Sequence, residues 1–113
     1  MRASHLFVAA MCLSVAGFVS AAETAGKTTL ECLQAAFNGE SNANAKYTAF
    51  AAKADEEGYK SVAALFRAAA LAEGIHAKKH AANIKKLGAE AKADIGKPEV
   101  KSTKENLEAA LAG

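Results

Sequence analysis

The 113-residue sequence has little proline, little cysteine and little excess of charge of either sign. One proline, Pro98, and two cysteines, Cys12 and Cys32, occur in the whole chain, and the formal net charge is +2. No stretch alternates cleanly between apolar and polar residues, so half-buried strands are not indicated. With few helix breakers and much alanine, leucine, lysine and glutamate, we predict an all-α protein. The near balance of charge gives no indication of a nucleic-acid partner, and none is expected.

The first 21 residues have the pattern of a secretory signal peptide. Arg2 supplies a positive charge, the run 6–18 is apolar, and residues 19–21 are small, as a cleavage site requires. The apolar run is too short for a comfortable membrane span, so no stable span is expected after cleavage. We therefore expect export to the periplasm and a mature domain over residues 22–113. A retained N-terminal anchor helix is the alternative.

Cleavage after residue 21 leaves Cys32 as the one cysteine of the mature domain. A single thiol cannot form an internal disulfide, although the expected destination is oxidising. We expect Cys32 to be a small packed side chain. A free reactive thiol or an intermolecular bridge is the alternative.

Capping signals and glycines divide the mature domain into helices. The segment 28–31 has capping-box spacing, which predicts a first helix over about 29–57. Gly58 supplies the stop and the turn, and a second helix is predicted over about 59–87 with Gly88 as its stop. The two helices should therefore fold back on each other as an antiparallel hairpin.

A polar linker over about 89–101 precedes a third helix over 102–113, capped by Ser102 or Thr103. Its sequence TKENLEAALAG matches TLECLQAAFNG of the first helix at six of eleven positions, which indicates an internal repeat. We therefore expect the third helix to open a second, related hairpin that the sequence cuts short.

Each long helix has an inward stripe, stepping three and four residues, that is apolar at its ends and polar in its middle. The stripe of the first helix consists of Leu30, Leu33, Phe37, Glu40, Asn44, Tyr47 and Ala51. The stripe of the second helix consists of Val62, Phe66, Ala69, Glu73, His76, His80, Asn83 and Leu87. Buried carboxylates are normally paired or bound to metal, so the two glutamates indicate a polar site between the helices. A solvated face is the alternative.

The polar residues of the two stripes should lie at one level. Glu40 lies 18 residues before Gly58, whereas Glu73 and His76 lie 15 and 18 residues after it. At about 1.5 Å rise per residue, all three are about 22–27 Å from the turn. Two carboxylates and an imidazole suit a transition metal such as iron, zinc or copper, and Glu-x-x-His occurs in di-iron bundles. We therefore predict Glu40, Glu73 and His76 as metal ligands, forming half of a di-iron site, and expect His80 to line the pocket or the surface.

Four motifs follow in order along the chain: LxxAFxGES, NAKYTAFAAKADEEGY, LFRAAALAEGIHAKKH and TKENLEAALAG. In this order they resemble rubrerythrin, of the ferritin-like superfamily, over about residues 29–113. The resemblance implies that the hairpin is the first half of a four-helix bundle and that the third helix starts the second half. It also implies non-haem iron held in part by Glu40, Glu73 and His76. Tyr47 would form a hydrogen bond to a ligand carboxylate.

Rubrerythrins are typically di-iron peroxidases that reduce hydrogen peroxide with electrons delivered through a rubredoxin-like iron site. The resemblance therefore implies a peroxidase-type oxidoreductase of oxidative-stress defence, once the bundle is complete. The sequence departs from the family in having a signal peptide and no Cys-x-x-Cys pair, so an external electron donor is expected. Gly74, between two proposed ligands, is a further departure and costs about 1 kcal/mol relative to alanine in a helix.

Two other functions are compatible with the same residues. One is iron binding with ferroxidase activity and no peroxidase turnover, and the other is a non-catalytic helical relic. The site could be completed by further chain beyond residue 113 or by a homodimer in which each copy contributes Glu40, Glu73 and His76. The interrupted repeat favours further chain.

Overall fold

The structure, a computed structural model, describes residues 27–113, which form three α-helices and no strand. The helices are α1 (Thr29–Glu56), α2 (Lys60–Lys86) and α3 (Thr103–Ala112). The two long helices pack as an antiparallel hairpin, so the predicted all-α, ferritin-like hairpin with a third helix is confirmed. None of these helices combines the length and the apolarity that a bilayer span requires. The signal peptide predicted over residues 1–21 lies outside the described residues.

Local sequence fixes both ends of α1. The Thr28 side chain accepts a hydrogen bond from the Glu31 N–H at 3.2 Å, and the Glu31 carboxylate accepts one from the Thr28 N–H at 2.7 Å. At the other end Gly58 adopts φ +83°, and the Tyr59 N–H donates to the Ala54 carbonyl at 2.8 Å. A glycine adopts this left-handed conformation without the steric cost of a Cβ atom. The resulting turn folds α2 back along α1.

The apolar core of the hairpin lies towards the Gly58 turn. Phe50, Ala51 and Phe66 form its buried cluster, and the rings of Phe50 and Phe66 meet edge to face with centroids 5.3 Å apart. Tyr47 stacks on Phe66 with centroids 6.0 Å apart. Such aromatic pairs contribute about 0.5–1.5 kcal/mol beyond the burial of their area. Because this end holds the two helices together, the middle of the hairpin can carry polar residues.

The face of α2 that contacts α1 differs from the predicted stripe. Its buried residues are Ala63, Phe66, Ala70, Ala77 and Ile84. His76, Asn83 and Leu87, which the predicted stripe included, are exposed. Small alanine side chains let two helix backbones approach closely, so α2 presents its alanine row to α1 and the predicted row lies beside that contact. The predicted stripe was therefore wrong at Asn83 and Leu87, whereas Glu73, His76 and His80 approach Glu40 from the side of this contact.

Side-chain amides hold the segment between α2 and α3 along α1. Three residues spaced one turn apart on α1 accept hydrogen bonds from alternate backbone N–H groups of this segment. The pairs are Gln34 with Lys92 at 3.2 Å, Asn38 with Asp94 at 2.8 Å and Asn42 with Gly96 at 3.0 Å. We call Gln34, Asn38 and Asn42 the amide ladder. It directs the chain back from the end of α2 towards the opposite end of the hairpin.

The segment between α2 and α3 ends beside the C-terminal end of α1, where α3 begins. Ser102 caps α3, and the Thr103 N–H donates a hydrogen bond to the Glu57 carboxylate at 2.8 Å, as does its hydroxyl. Leu107 then packs against the aromatic cluster of the hairpin. The third helix therefore starts beside the end of α1 and runs back along it.

Candidate metal centre

Three side chains with metal-ligating atoms converge in the middle of the hairpin. Glu40 comes from α1, and Glu73 and His76 come from successive turns of α2. One ligand atom of each residue lies within 4.8 Å of the other two. His76 Nδ1 is 3.6 Å from Glu40 Oε1 and 3.6 Å from Glu73 Oε2. The structure thus brings together the three residues that the sequence suggests as ligands, and their role as ligands stays a prediction.

Glu40 is the one ionisable residue that is buried in the described part of the chain, with 7% of its surface exposed. Burial raises the pKa of its carboxyl to about 7, and the hydrogen bond and negative charge of Glu73 add to the rise, whereas His76 opposes it. A cation between the two carboxylates would remove their repulsion and compensate the loss of hydration. The residues present therefore fit a metal ion.

The cluster formed by Glu40, Glu73 and His76 is shielded from solvent on the α1 side and exposed to solvent on the α2 side. Glu40 is buried, Glu73 is half-buried, and the His76 side chain is 52% exposed. Carboxylate oxygens together with a neutral imidazole suit iron, manganese or zinc better than magnesium or calcium. Within residues 27–113, an ion at this cluster would be reached from solvent past His76.

His80 also faces the cluster. Its Nε2 lies 3.9 Å from Glu40 Oε1, the same oxygen that His76 approaches. Burial, followed by the charge of His76, lowers the pKa of His80. The prediction for His80 was a place at the pocket or the surface, with no link to Glu40. The spacing His-x-x-x-His, which puts two imidazoles on one helix face, was the signal that could have found it.

Tyr47 belongs to the aromatic cluster and also borders the carboxylates. It stacks on Phe66 and meets Phe50 edge to face, with centroids 6.3 Å apart. Burial raises the pKa of its hydroxyl, and the negative charge of Glu73 adds to the rise. No hydrogen bond joins this hydroxyl to a carboxylate in the described part of the chain. The predicted role of Tyr47 beside a ligand therefore stays a prediction.

Asn44 and Gly74 set the contact between the helices one turn from Glu40. The Asn44 side-chain amide donates to the Ala70 carbonyl of α2 at 2.7 Å. A Cβ atom on Gly74 would lie 3.2 Å from Asn44 Nδ2, which is tighter than ordinary contact. Gly74 thus leaves room for Asn44, and the bond fixes which turn of α2 faces Glu40. The glycine that looked like a departure in the sequence has this packing reason.

Comparison with known proteins agrees with this architecture. The rubrerythrin family profile matches residues 31–113. A nigerythrin from Nitratidesulfovibrio vulgaris is 55% identical over 58 residues, which cover 51% of this chain and 29% of that protein. A rubrerythrin from Porphyromonas gingivalis is 40% identical over 88 residues, which cover 78% of this chain and 44% of that protein.

The chain thus spans less than half the length of these curated relatives. No solved structure matches it at a significant level. The family profile nevertheless covers most of the sequence and includes the segments that supply Glu40, Glu73 and His76. The chain belongs to the rubrerythrin family, whose members carry a ferritin-like di-iron domain.

Proposed function

We propose that this chain supplies half of a non-haem di-iron centre that reduces hydrogen peroxide to water in defence against oxidative stress. The observation that supports the proposal is the convergence of Glu40, Glu73 and His76 at one level of the hairpin. The family profile and the two relatives support the same chemistry, because the matched segments include these residues.

Each residue has a distinct part in this proposal. The carboxylates of Glu40 and Glu73 and the imidazole of His76 would hold iron, which would supply two electrons so that one hydrogen peroxide and two protons from solvent give two waters. Burial of Glu40 keeps water away from the α1 side of the centre, and the exposed side of His76 admits peroxide. The Tyr47 hydroxyl, at the edge of the carboxylates, would orient one of them by a hydrogen bond. An external donor protein would return these two electrons to the iron.

Iron content of the whole 113-residue chain tests the metal site. We expect wild type to take up ferrous iron and the Glu73→Ala variant to lose it, because Glu73 supplies one of the converging oxygens. The matched control is Glu56→Gln, which changes a carboxylate that is 69% exposed near the end of α1 and should retain iron. Unchanged iron content in Glu73→Ala would contradict the proposal.

Peroxide consumption then separates the peroxidase from an iron-storage protein. The iron-loaded chain is mixed with hydrogen peroxide and a chemical reductant, and both are followed with time. Catalytic loss of peroxide with matching oxidation of the reductant supports the peroxidase. Iron uptake and oxidation without peroxide turnover would instead indicate a ferroxidase.

We further propose that the protein is exported and acts as a homodimer. The pattern over residues 1–21 supports export, and large apolar side chains exposed on α2, such as Leu65 and Leu71, support a further protein contact. A periplasmic form whose N-terminus is residue 22 or 23 is expected on sequencing. Full-length protein confined to the cytoplasm would contradict export, and a monomeric mass by light scattering would contradict the dimer.

A further inference from the structure

Four lysines lie close together on the second half of α2. The segment 74–89 contains Lys78, Lys79, Lys85 and Lys86 and no acidic residue, although the formal net charge of the whole chain is +2. All four lysines are exposed, and none forms an ion pair with a carboxylate of residues 27–113. We call these four residues the lysine patch. It concentrates positive charge on a molecule whose charges are otherwise balanced.

The lysine patch surrounds Ala82 on the face of α2 that points away from α1. At about 100° per residue around the helix axis, all four lysines lie within about 60° of Ala82. Ala82 is exposed and lies about 140° from Ala77, which is buried. It lies about 120–180° from the side of α2 that carries Glu73, His76 and His80. A second pair of helices over the candidate metal centre would therefore leave the lysine patch open.

One edge of the lysine patch nevertheless adjoins the metal centre. Lys79 follows His76 by three residues, so the two side chains are neighbours on the helix surface. The His76 side chain is itself 52% exposed. At about 1.5 Å rise per residue, the patch extends from about 3 to 15 Å beyond His76 along the axis. A protein bound to the patch would therefore lie beside the exposed imidazole.

Helix stability accounts for half of the lysine patch. Lys85 and Lys86 lie in the last turn of α2, where positive side chains interact favourably with the helix dipole. Lys78 and Lys79 lie two turns earlier, beyond the range of this effect, and have no acidic residue three or four positions away. Their positive charge has no partner within the helix, so a partner outside the chain is the better explanation.

We propose that the lysine patch is the docking surface for an acidic electron-carrier protein. The inference rests on the proposed function, in which an external donor returns electrons to the iron, and adds where that donor binds and what charge its surface carries. Reduction of one hydrogen peroxide and two protons to two waters takes two electrons from the iron, so two one-electron carriers are each oxidised once. The lysines steer the encounter and orient the carrier beside His76.

An anionic membrane surface is the other kind of partner that attracts a basic helix face. A helix that lies on a bilayer buries large apolar side chains between its lysines. Within residues 77–86 the one large apolar residue is Ile84, which is fully buried in the hairpin. The lysine patch therefore offers charge without an apolar face, which favours an acidic protein.

Reduced rubredoxin, an acidic one-electron carrier, is the probe for the iron-loaded full chain. Calorimetry with the oxidised carrier gives the affinity without turnover, and the absorbance of the reduced carrier follows its oxidation by peroxide. We expect the affinity of wild type to fall about tenfold or more between about 20 and 200 mM salt, because salt screens exposed charges. At low salt the quadruple variant Lys78→Gln, Lys79→Gln, Lys85→Gln and Lys86→Gln should lose about tenfold in affinity and in the rate of carrier oxidation. Peroxide turnover with hydroquinone, a neutral reductant, should not change.

Two matched variants separate local charge from net charge and from fold. Replacement of the same four lysines by arginine keeps the charge and should retain the affinity within about twofold. Replacement of four other exposed lysines by glutamine changes the net charge equally and should retain most of the affinity; these are Lys27, Lys92, Lys97 and Lys104. Lysine, arginine and glutamine have similar helix propensities, so the circular dichroism of all variants should match wild type.

Three results with the carrier would overturn the inference: no binding by wild type, equal losses in the two glutamine variants, and equal losses in the arginine and glutamine variants of the lysine patch. Patch-dependent binding to phosphatidylglycerol vesicles without carrier binding would assign the patch to a membrane and also overturn it. Carrier binding through the patch in a chain that consumes no peroxide, even with hydroquinone, would support the docking surface and contradict the peroxidase. Peroxide turnover with hydroquinone and carrier binding that is independent of the lysines would support the peroxidase and overturn the docking surface.

Discussion

The buried carboxylate of Glu40 sets stability against function in the described part of the chain. Its carboxylate is buried beside a second carboxylate, and burial of a charge without a full positive partner is unfavourable. A side chain selected only for packing at this position would be apolar, as are Phe50 and Ala51 further along α1. At the scale of single residues, the metal-free hairpin is therefore destabilised at the place where a cation would be bound.

The substitution Glu40→Gln tests this conflict. At pH 8 without metal, we expect the variant to have a free energy of unfolding about 1–2 kcal/mol higher than wild type, because a neutral amide of the same shape replaces a buried charge. Urea denaturation in the presence of a chelator measures the difference. The same variant should lose metal binding. A variant that is less stable than wild type would show that the carboxylate is already compensated in the metal-free chain.

Two substitutions of Tyr47 distinguish the stability contributed by its ring from that contributed by its hydroxyl. Tyr47→Phe keeps the ring that stacks on Phe66, so the free energy of unfolding should change by no more than about 0.5 kcal/mol. Tyr47→Ala removes that ring and should cost about 3 kcal/mol. Both values come from urea denaturation of the metal-free chain. Equal losses in the two variants would show that the hydroxyl, and not the ring, stabilises the fold.

One polar contact helps to set the register of the two long helices, which the apolar core holds together. Asn44 bonds the Ala70 carbonyl, and Gly74 leaves the space that Asn44 occupies. A one-turn slip of α2 would move its ligands about 5.4 Å along the hairpin and away from Glu40. At the scale of elements, the Asn44 contact sets the register on which the metal centre depends.

A double-mutant cycle on Asn44 and Gly74 tests this register. Gly74→Ala should destabilise the chain by about 1 kcal/mol although alanine favours a helix, because its Cβ displaces Asn44. In an Asn44→Ala background the same change should stabilise the chain by about 0.5–1 kcal/mol, because the space is then free. Thermal unfolding of all four chains gives the coupling. Gly74→Ala effects of equal sign in both backgrounds would contradict the contact.

The docking of α3 should depend on pH through Glu57. Hydrogen bonds from the Thr103 hydroxyl and N–H lower the pKa of the Glu57 carboxyl below its ordinary value of 4.5. A lowered pKa in the folded state contributes stability above the ordinary value, and that stability is lost as the pH falls through the lowered pKa. We therefore expect the protection of α3 against amide exchange to fall on acidification below pH 4.5. Glu57→Gln should weaken this step while leaving α1 and α2 paired, and the part that remains belongs to Glu105, whose pKa the hydrogen bonds from Ser102 also lower.

Much of the whole molecule follows from local signals. The cap at Thr28 and the turn at Gly58 fix the ends of α1, and equal spacing from that turn predicts the common level of the ligands. The rotation of α2 was not predictable in the same way, because alanine and polar rows lie side by side and only contact with α1 selects Ala70 and Ala77.

The path of the segment between α2 and α3 could not be predicted from the sequence either. Its hydrogen-bond partners on α1 are more than fifty residues away in sequence. The amide ladder, Gln34, Asn38 and Asn42, matches alternate residues of an extended segment, as a neighbouring strand would. No local pattern marks those side chains as backbone partners. The ladder decides at which end of the hairpin α3 begins, and therefore which side of α1 the rest of a bundle would cover.

Removal of one rung tests whether the ladder holds the whole arrangement. Asn42→Ala deletes the bonds to the Gly96 N–H and the Asp94 carbonyl, which should cost about 1–2 kcal/mol. We expect faster amide exchange at Gly96 and throughout α3, because the linker that positions α3 is released, and unchanged protection in α1 and α2. Asn83→Ala is the matched control, since the Asn83 side chain is exposed on α2 and forms no hydrogen bond within residues 27–113. Exchange that rises equally in all three helices would show that the ladder stabilises the hairpin itself and does not specifically place α3.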